Sequence, residues 1–377
     1  MNTQTPMERD QALITFVDML RGLLALMVLL AHGLESAHLA LPSASFPAVL
    51  DFTLARGGYW VSGFFVLSGF CIHRSILSQL AQGAGLAAGF YALARVTRIY
   101  PVYLAALVLA LASSPWPGSL VIGGHLLMAQ GITGVLPAIK PAWSLTNEMV
   151  YYAVWPAILM SCRYKLVRSF TFAFAASAMV AGLLFALWKS LHGGAADSSW
   201  LALALIAASF PLWLGGAALA HWWDFLQRCS QGWMTWAGLL LLMTAYGAQA
   251  WLMHLNARTM LLCAVTYVSL PGWLLLLLGG STWRGFDRWR SYAAWMGLLS
   301  YPLYILHQPL LDLTASSMRH LVPAGSLTML TLLLAVVVLT IIILIGVPLE
   351  RWTLGKRGEL LRRMRSRQAR TFPLVPQ

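Results

Sequence analysis

The chain has 377 residues, of which 59% are hydrophobic and only 10% are charged, whereas about 25% are charged in an average soluble domain. Apolar runs of about 20 residues recur from end to end, which is the length that a helix needs to cross a bilayer core of about 30 Å. This composition excludes an ordinary soluble protein. It predicts an all-α, polytopic integral membrane helical bundle.

Hydropathy predicts about ten transmembrane helices, and an even number places both termini on one side. All but five of the 25 Lys and Arg residues then lie on the side of the termini, which the positive-inside rule assigns to the cytoplasm. The exceptions are Arg56, Lys140, Lys189, Arg258 and Arg319. The spans are approximately 13–34, 58–78, 96–114, 144–162, 169–189, 200–222, 232–252, 259–280, 291–313 and 325–349.

The predicted organisation is a transmembrane domain over residues 1–350 and a basic cytoplasmic tail over residues 351–377. We expect a multi-pass protein of the plasma (inner) membrane, in contact with membrane lipids. The formal charge of +13 comes from short loops and the tail, so topology explains it and nucleic acid is not an expected partner. The four cysteines show no metal-ligand spacing, and we expect no metal site.

Two predicted outer loops are long, at residues 36–57 and 114–143. The second, which contains "WPGSLVIGGHLLMAQGITGVLP", is too long and too apolar for a plain connection. Irregular backbone at membrane depth is tolerated only where protein buries it or where it lines a cavity. We therefore expect short helices in this loop, lying on the outer face or dipping inward.

The first span, "FVDMLRGLLALMVLLAHGL" at residues 16–34, carries three polar residues that a structural span does not need. Asp18 and Arg21 are three residues apart, so they share a helix face and can pair. His32 lies eleven residues beyond Arg21, about three turns and roughly 16 Å along the axis. One face therefore carries a cation near the cytoplasm and a titratable base near the outside. The alternative is an interfacial Arg21 anchor and a His32 at the outer rim.

A second polar site is "FYALARVTRIYPVY" at residues 90–103. Arg95 and Arg98 lie three apart, and we expect them at the cytoplasmic start of the third span. Free N–H groups and forked guanidinium donors at a helix N-terminus suit a phosphate. Ordinary positive-inside flanking remains the alternative interpretation.

The segment "PAWSLTNEMVYYAVWP" at residues 141–156 places Glu148 deep inside a predicted span. Buried charged groups in a bilayer are costly and usually mark function. Ser144 precedes it, and Tyr151 and Tyr152 follow it. A Glu neutralised by a proton or by an arginine is the alternative.

The segment "SYPLYILHQP" at residues 300–309 is the last polar site. Tyr301 and Tyr304 project from one face, and His307 lies near the outer end. Alone, this pattern fits satisfied packing as well as catalysis.

In their order along the chain, these segments resemble the membrane-bound acyltransferase-3 family, which O-acylates cell-surface glycans and some small molecules. The resemblance rests on "DMLRG" with His32 ten intervening residues after Arg21, "FFVLSGF", the Arg95–Arg98 pair with "RIYPVY", "WSLTNEMVYY" and "SYPLYILHQP". Many members have two adjacent histidines at the end of the first span. Here Gly33 follows His32, and Glu35 is placed to orient the single imidazole.

The resemblance implies a cytoplasmic acyl-CoA donor, acetyl-CoA in the commonest case, used as co-substrate without a permanently bound cofactor. It also implies a hydroxyl acceptor on an outer-face glycan or lipid-linked sugar. Arg95 and Arg98 would bind the donor's phosphates, its arm would pass Arg21, and His32 would be the general base. Nothing resembling the esterase-like domain of some members follows the last predicted span, so we expect the chemistry to finish in the membrane or on a separate protein.

Two other classes of protein remain compatible with the sequence. A polytopic anion transporter also needs intramembrane Arg, Glu and His, although paired broken helices are not apparent. A non-catalytic subunit of a polysaccharide export system is the other alternative. The sequence leaves open the acceptor, the acyl group, an acyl-enzyme versus direct transfer, and the oligomeric state.

Overall fold

The structure is a computed structural model that describes residues 6–41, 57–81, 86–193, 199–255, 259–283, 286–322 and 326–371. Within these ranges the regular elements are helices. The α-helices are α1 (Pro6–Ala40), α2 (Gly57–Leu80), α3 (Ala88–Ala112), α4 (Ser119–Leu126), α5 (Gln130–Thr133), α6 (Trp143–Ser161), α7 (Leu166–His192), α8 (Ser199–His221), α9 (Trp223–Cys229), α10 (Trp233–His254), α11 (Thr259–Gly280), α12 (Arg290–Met318), α13 (Leu327–Ile341) and α14 (Val347–Thr371).

Each of the ten predicted spans falls on a helix, so the all-α class is confirmed. In the part of the chain that the structure describes, six helical segments are long and apolar enough to cross a membrane. They are Asp10–Ala40, Gly57–Leu80, Ala88–Ala112, Leu166–His192, Ser199–His221 and Leu327–Met364. The total of ten spans and their orientation stay predictions.

Helix α1 lies in the middle of the bundle, packed along α12 and also against α2 and α13. Glycines make the α1–α12 contact close. A Cβ added at Gly22 would lie 2.6 Å from the Met296 side chain, and one added at Gly297 would lie 2.6 Å from Asp18 Oδ1. Small residues at helix interfaces let membrane helices approach closely and gain dispersion contacts. This packing fixes the polar face of α1 within the protein.

Helices α2 and α8 approach each other through a pair of glycines. A Cβ at Gly69 would collide with the carbonyl of Trp213, and one at Gly216 would collide with the carbonyl of Val66. Because the two backbones almost touch, α2 has no freedom to slide along α8. Helix α2 carries one wall of the functional site, so this contact positions the site.

The start of α3 differs from the prediction. The helix begins at Ala88 rather than near residue 96, so Arg95 and Arg98 lie two to three turns inside it. Their neighbouring N–H groups are used in the helix, and the expected contribution of a helix N-terminus to an anion site at these arginines is wrong. The hydropathy pattern marks only the apolar part of the helix, whereas "AGFYALAR" is helical without being uniformly apolar.

The predicted outer loop 114–143 contains α4, α5 and a 3₁₀ helix at Pro137–Ala142, as its sequence predicts. His125 fixes this segment from inside. Its Nε2 accepts the N–H of Leu136 at 3.1 Å, and its Nδ1 lies 2.9 Å from the Tyr103 hydroxyl. Burial lowers the pKa of His125 to about 4, so the ring is neutral and keeps the lone pair that Leu136 needs. Most of the other loop, residues 42–56, including Arg56, lies outside the described residues, and α1 extends to Ala40.

The last span does not end where the predicted tail begins. A π turn at Ile342–Gly346 joins α13 to α14, and α14 runs without a break to Thr371. Pro348 lies two residues beyond the turn and has no N–H to complete a regular helical bond to the Leu344 carbonyl inside it, which accounts for the turn. Helix α14 packs against α3. The boundary between domain and tail at residues 350 and 351 stays a prediction.

Candidate functional site

Four arginines from three helices line one cavity of about 280 Å³. We call it the arginine cavity. Its cations are Arg21 from α1, Arg95 and Arg98 from α3, and Arg357 from α14, and Glu148 from α6 is the acid among its lining residues. The excess of guanidinium groups gives the cavity a positive potential, which suits a polyanionic ligand.

Arg98 is held by two neighbours. Its Nη1 donates to Oε1 of Glu350, a residue of α14 that is fully buried. Its guanidinium also lies over the Tyr301 ring, 5.1 Å from the centroid, a cation–π contact. The Tyr301 hydroxyl donates to the carbonyl of Ile99 at 2.5 Å. Arg98 is therefore rigid, and Glu350 neutralises part of its charge.

Arg95 is held more loosely. It donates from Nη2 to Ser75 Oγ at 3.0 Å and lies over the Tyr91 ring at 5.1 Å. Its Nε is buried and has no hydrogen-bond partner among the described residues. An unused buried donor on a cation is costly, so Arg95 is the guanidinium best prepared to bind an anion.

The remaining two arginines reach the cavity from opposite ends of the chain. Arg21 lies 3.9 Å from Asp18, the pair that their spacing of three predicts. Arg357 donates from Nε to the carbonyl of Ala94, 263 residues earlier, at 3.2 Å. That bond ties α14 to α3 at the mouth of the arginine cavity.

Glu148 is oriented by a chain of hydrogen bonds. The Tyr152 hydroxyl donates to Glu148 Oε2 at 2.6 Å, and it also lies 3.0 Å from Ser68 Oγ. Trp213 Nε1 donates to Ser68 Oγ at 3.2 Å, so the Ser68 proton is directed toward Tyr152. The donors of this chain all point toward Glu148, so the group at its end must accept hydrogen bonds, as a carboxylate does. Glu148 lines the arginine cavity and is absent from the lining of the histidine cavity.

His32 lines a second cavity of about 670 Å³, which we call the histidine cavity. His32 Nδ1 lies 3.1 Å from Glu35 Oε2. A carboxylate only accepts hydrogen bonds, so Nδ1 carries the proton, and in the neutral imidazole the lone pair is on Nε2. Glu35 Oε1 accepts from Lys140 Nζ at 2.7 Å, and Lys140 also lines this cavity.

His307 of α12 packs behind His32. The ring centroids are 5.3 Å apart, and His307 is fully buried. Its Nδ1 donates to the carbonyl of Leu303 at 2.9 Å. The contact restricts rotation of the His32 ring. Two histidines that lie on separate helices are therefore packed together at this site.

Val61 and Tyr304 line both cavities, so the two cavities meet at a shared wall. The Tyr304 hydroxyl lies 2.7 Å from Ser144 Oγ and 3.0 Å from the carbonyl of Pro141, and its ring lies 5.2 Å from that of Phe64. These contacts hold Tyr304 at the junction between the arginines and His32.

The structure thus divides the predicted site residues between two adjacent cavities. Tyr151 belongs to neither lining: it is buried, and its hydroxyl donates to the carbonyl of Ile206 at 2.8 Å. The arginine cavity contains or contacts Asp18, Arg21, Arg95, Arg98, Ser144, Glu148, Tyr152, Tyr301 and Tyr304, and the histidine cavity contains or contacts His32, Glu35, Tyr304 and His307.

Three charged residues of the site, Lys140, Glu350 and Arg357, were not predicted from the sequence. Lys140 was recognisable only as a cation on the predicted outer side. Glu350 lies one residue beyond the predicted end of the last span, and Arg357 lies in the tail whose charge was assigned to topology. Glu350 and Arg357 are seven residues apart, two helical turns, which is the sequence signal that places both on one face of α14.

A helical membrane protein with a basic cavity next to a cavity that contains a carboxylate-oriented histidine has the parts of a group-transfer enzyme. A sequence model described as an acyltransferase domain matches residues 14–349. The chain therefore belongs to the membrane-bound acyltransferase-3 family, and it is an integral membrane protein.

Two curated relatives match parts of the chain. The peptidoglycan O-acetyltransferase OatA of Listeria monocytogenes is 25% identical over 304 residues, which are 70% of this chain and 47% of the relative. The chain thus aligns with about half the length of that protein. Protein 2 in the picA locus of Rhizobium radiobacter is 30% identical over 178 residues, 41% of this chain and 84% of that protein. No solved structure matches the chain.

Proposed function

We propose that this protein transfers an acyl group, acetyl in the first instance, from cytoplasmic acyl-CoA to a hydroxyl of an extracytoplasmic glycan or lipid-linked sugar. The observation that carries the proposal is the shared wall of the two cavities. Val61 and Tyr304 border both the cavity with four arginines and the cavity with His32. In the proposal, a thin ligand bound by its phosphates in the arginine cavity extends past this wall to the base in the histidine cavity.

The arginine cavity fits the anionic part of acyl-CoA. Arg95 has an unused buried donor, and Arg21, Arg98 and Arg357 surround the same space. Guanidinium groups bind phosphate oxygens through paired N–H donors. The volume of about 280 Å³ is small for a ligand pocket, for which roughly 300–1,000 Å³ is usual, so it takes a diphosphate and the slender arm while the nucleoside stays at the mouth.

His32 is the proposed general base. Its Nε2 accepts the proton of the acceptor hydroxyl while the hydroxyl oxygen forms a bond to the thioester carbonyl carbon. The carbon–sulfur bond then breaks, and the departing thiolate takes the proton back from Nε2. Glu35 stabilises the imidazolium that exists between these two proton transfers.

The acceptor class rests on a relative. The Listeria protein is named for O-acetylation of peptidoglycan, which supports acetyl as the group and a cell-surface glycan as the acceptor. We place the protein in the plasma (inner) membrane, because both substrates then meet there: acyl-CoA from the cytoplasm and the glycan from the outer face.

Sealed membrane vesicles test the proposal. Labelled acetyl-CoA is added outside inside-out vesicles that contain acceptor glycan in the lumen, and we expect label on the lumenal acceptor. Right-side-out vesicles should be inactive with external acetyl-CoA, because CoA is charged and does not cross the bilayer. Vesicles with His32→Gln provide the control for transfer by other proteins.

Three results would overturn the proposal. Equal labelling of acceptor on the donor's own side would show that transfer does not cross the membrane. Labelling that persists in His32→Gln vesicles would show that His32 is not the base. Movement of an anion into the lumen without chemical change, at the rate seen in the wild type, would favour a transporter instead.

A further inference from the structure

Lys140 projects from a rigid piece of backbone. It is exposed, whereas its neighbours Ala138, Ile139 and Pro141 in the 3₁₀ helix are buried. The Pro141 carbonyl accepts from the Tyr304 hydroxyl at 3.0 Å, and the next carbonyl, that of Ala142, accepts from Gln130 Nε2 at 2.7 Å. The backbone at Lys140 is therefore a fixed point at the edge of the histidine cavity, from which the lysine side chain extends.

Glu35 connects this fixed point to the base. One carboxylate oxygen lies 3.1 Å from His32 Nδ1, and the other accepts from Lys140 Nζ at 2.7 Å. The Glu35 side chain is 47% exposed, and a Glu with that freedom samples several rotamers in water. Contacts at both oxygens restrict it to the rotamer that faces the imidazole.

We propose that Lys140 is a positioning residue of the acyl-transfer site: it holds Glu35 in place so that His32 keeps Nδ1 protonated and Nε2 free. The inference rests on the proposed function, because it assigns a task to Lys140 in the same reaction. Lys140 itself does not touch the reacting atoms in this assignment.

General topology does not account for this lysine. Lys140 is one of the five basic residues on the predicted outer side, where lysine is not favoured. An ion pair as exposed as this one adds little to folding stability, so a stability role is a weak reason for its presence. The contact of Lys140 with Glu35, the carboxylate that orients the base, is a specific reason for a lysine at this position.

The other titratable groups near His32 lie on several elements. His307 donates from Nδ1 to the carbonyl of Leu303 while its buried Nε2 has no partner among the described residues, and Asp312 accepts from Gln308 at 2.8 Å. From α2, the Tyr59 hydroxyl donates to the carbonyl of Leu242, and Leu327–Ile341 of α13 contains no titratable side chain. His38 lies further along α1 and lines the same cavity. The cation that touches Glu35 from another element is Lys140.

The experiment compares Lys140→Met with Lys140→Arg and with Lys189→Met in the vesicle assay. Lys189→Met removes an exposed charge of the same predicted face without touching Glu35. We expect kcat/KM to fall about tenfold in Lys140→Met, within the range of measured coupling between contacting residues, and to recover substantially in Lys140→Arg. Lys189→Met should match the wild type.

A Glu35→Gln background separates positioning from a structural role. In that background Lys140→Met should cause no further loss of kcat/KM, because Lys140 acts through the carboxylate. Protein abundance and thermal unfolding in detergent, measured for every variant, should match the wild type.

Each other outcome counts against a defined claim. If wild type transfers label and His32→Gln does not, but Lys140→Met keeps the wild-type rate, the inference fails and the proposed function stands. If Lys140→Met loses the same factor with and without the Glu35 carboxylate, the lysine does not act through Glu35. If the wild type transfers no label, the proposed function and the inference fail together.

Discussion

The guanidinium of Arg98 in α3 is paired with the carboxylate of Glu350 in α14, 252 residues further along the chain, and Glu350 is fully buried. The pair joins the two helices at the arginine cavity. Arg95, one turn earlier on α3, has Ser75 as its hydrogen-bond partner instead. The two arginines of this pair therefore have different partners, and replacing them should have different consequences.

We expect Arg98→Ala to lose folded protein as well as donor binding. The variant leaves the Glu350 carboxylate buried and unpaired, which costs about 3–5 kcal/mol for a broken buried pair. Protein abundance in the membrane and thermal unfolding in detergent measure the loss. The double variant Arg98→Gln with Glu350→Gln should restore stability without restoring donor affinity, because two amides satisfy each other but do not attract phosphate. A single Arg98→Ala variant as stable as the wild type would contradict the structural role.

Arg95→Ala should weaken binding of the acyl-CoA donor and leave the stability of the protein near normal. A charge-assisted contact is worth roughly 1.5–3 kcal/mol, so affinity for acetyl-CoA should fall about 10- to 150-fold. Arg95→Lys should restore the affinity only in part, because the lysine ammonium lacks the forked N–H donors of a guanidinium.

Cys71 provides the measurement for Arg95→Ala. It is exposed and lines the arginine cavity, so bound donor should protect it from maleimide in a chain whose other three cysteines are replaced. Arg168→Ala, at an exposed position of α7 outside the cavity lining, is the matched control. Protection at wild-type donor concentrations in Arg95→Ala would remove Arg95 from the site.

Local patterns predicted the contacts that lie within one helix turn. Asp18 with Arg21 and His32 with Glu35 are both spaced by three residues, and helical geometry alone brings such pairs together. The helices were likewise predictable, because long apolar runs have no other stable form in a bilayer.

Long-range contacts were beyond the reach of the sequence. Lys140 meets Glu35 across 105 residues, and Arg357 meets Ala94 across 263, and no periodicity encodes such distances. The N-terminal placement of Arg95 was wrong for a different reason: hydropathy measures where the bilayer core lies, whereas the helix continues beyond it into residues of mixed polarity.

His32→Gln should abolish acyl transfer while abundance and donor protection of Cys71 stay near normal. Gln retains a polar side chain near Glu35 but has no group that accepts and returns a proton at neutral pH. Loss of the general base typically costs about 10²- to 10⁴-fold, which initial rates with labelled acetyl-CoA resolve. Activity within a few-fold of the wild type would show that another group is the base.

Gly57 and Gly58 test the direction from which the acceptor approaches His32. Both lie at the start of α2 and line the histidine cavity. A Cβ at Gly57 would lie 3.4 Å from His32 Nε2 and 3.2 Å from Ala31 Cβ, whereas a Cβ at Gly58 would have no atom within 4 Å. The two positions are adjacent, and neither has a positive φ, so alanine is conformationally acceptable at both.

We expect Gly57→Ala to lower kcat/KM about tenfold or more, because its methyl group occupies the space beside the lone pair where the hydroxyl must sit, and small displacements of reacting groups are costly. Gly58→Ala should transfer at the wild-type rate. Both variants should fold, since Gly→Ala at compatible positions tends to stabilise, and both should keep donor protection of Cys71, because neither touches the arginine cavity. Wild-type transfer by Gly57→Ala would show that the acceptor does not approach Nε2 along α2, and equal loss in both variants would point to a general effect on the start of that helix.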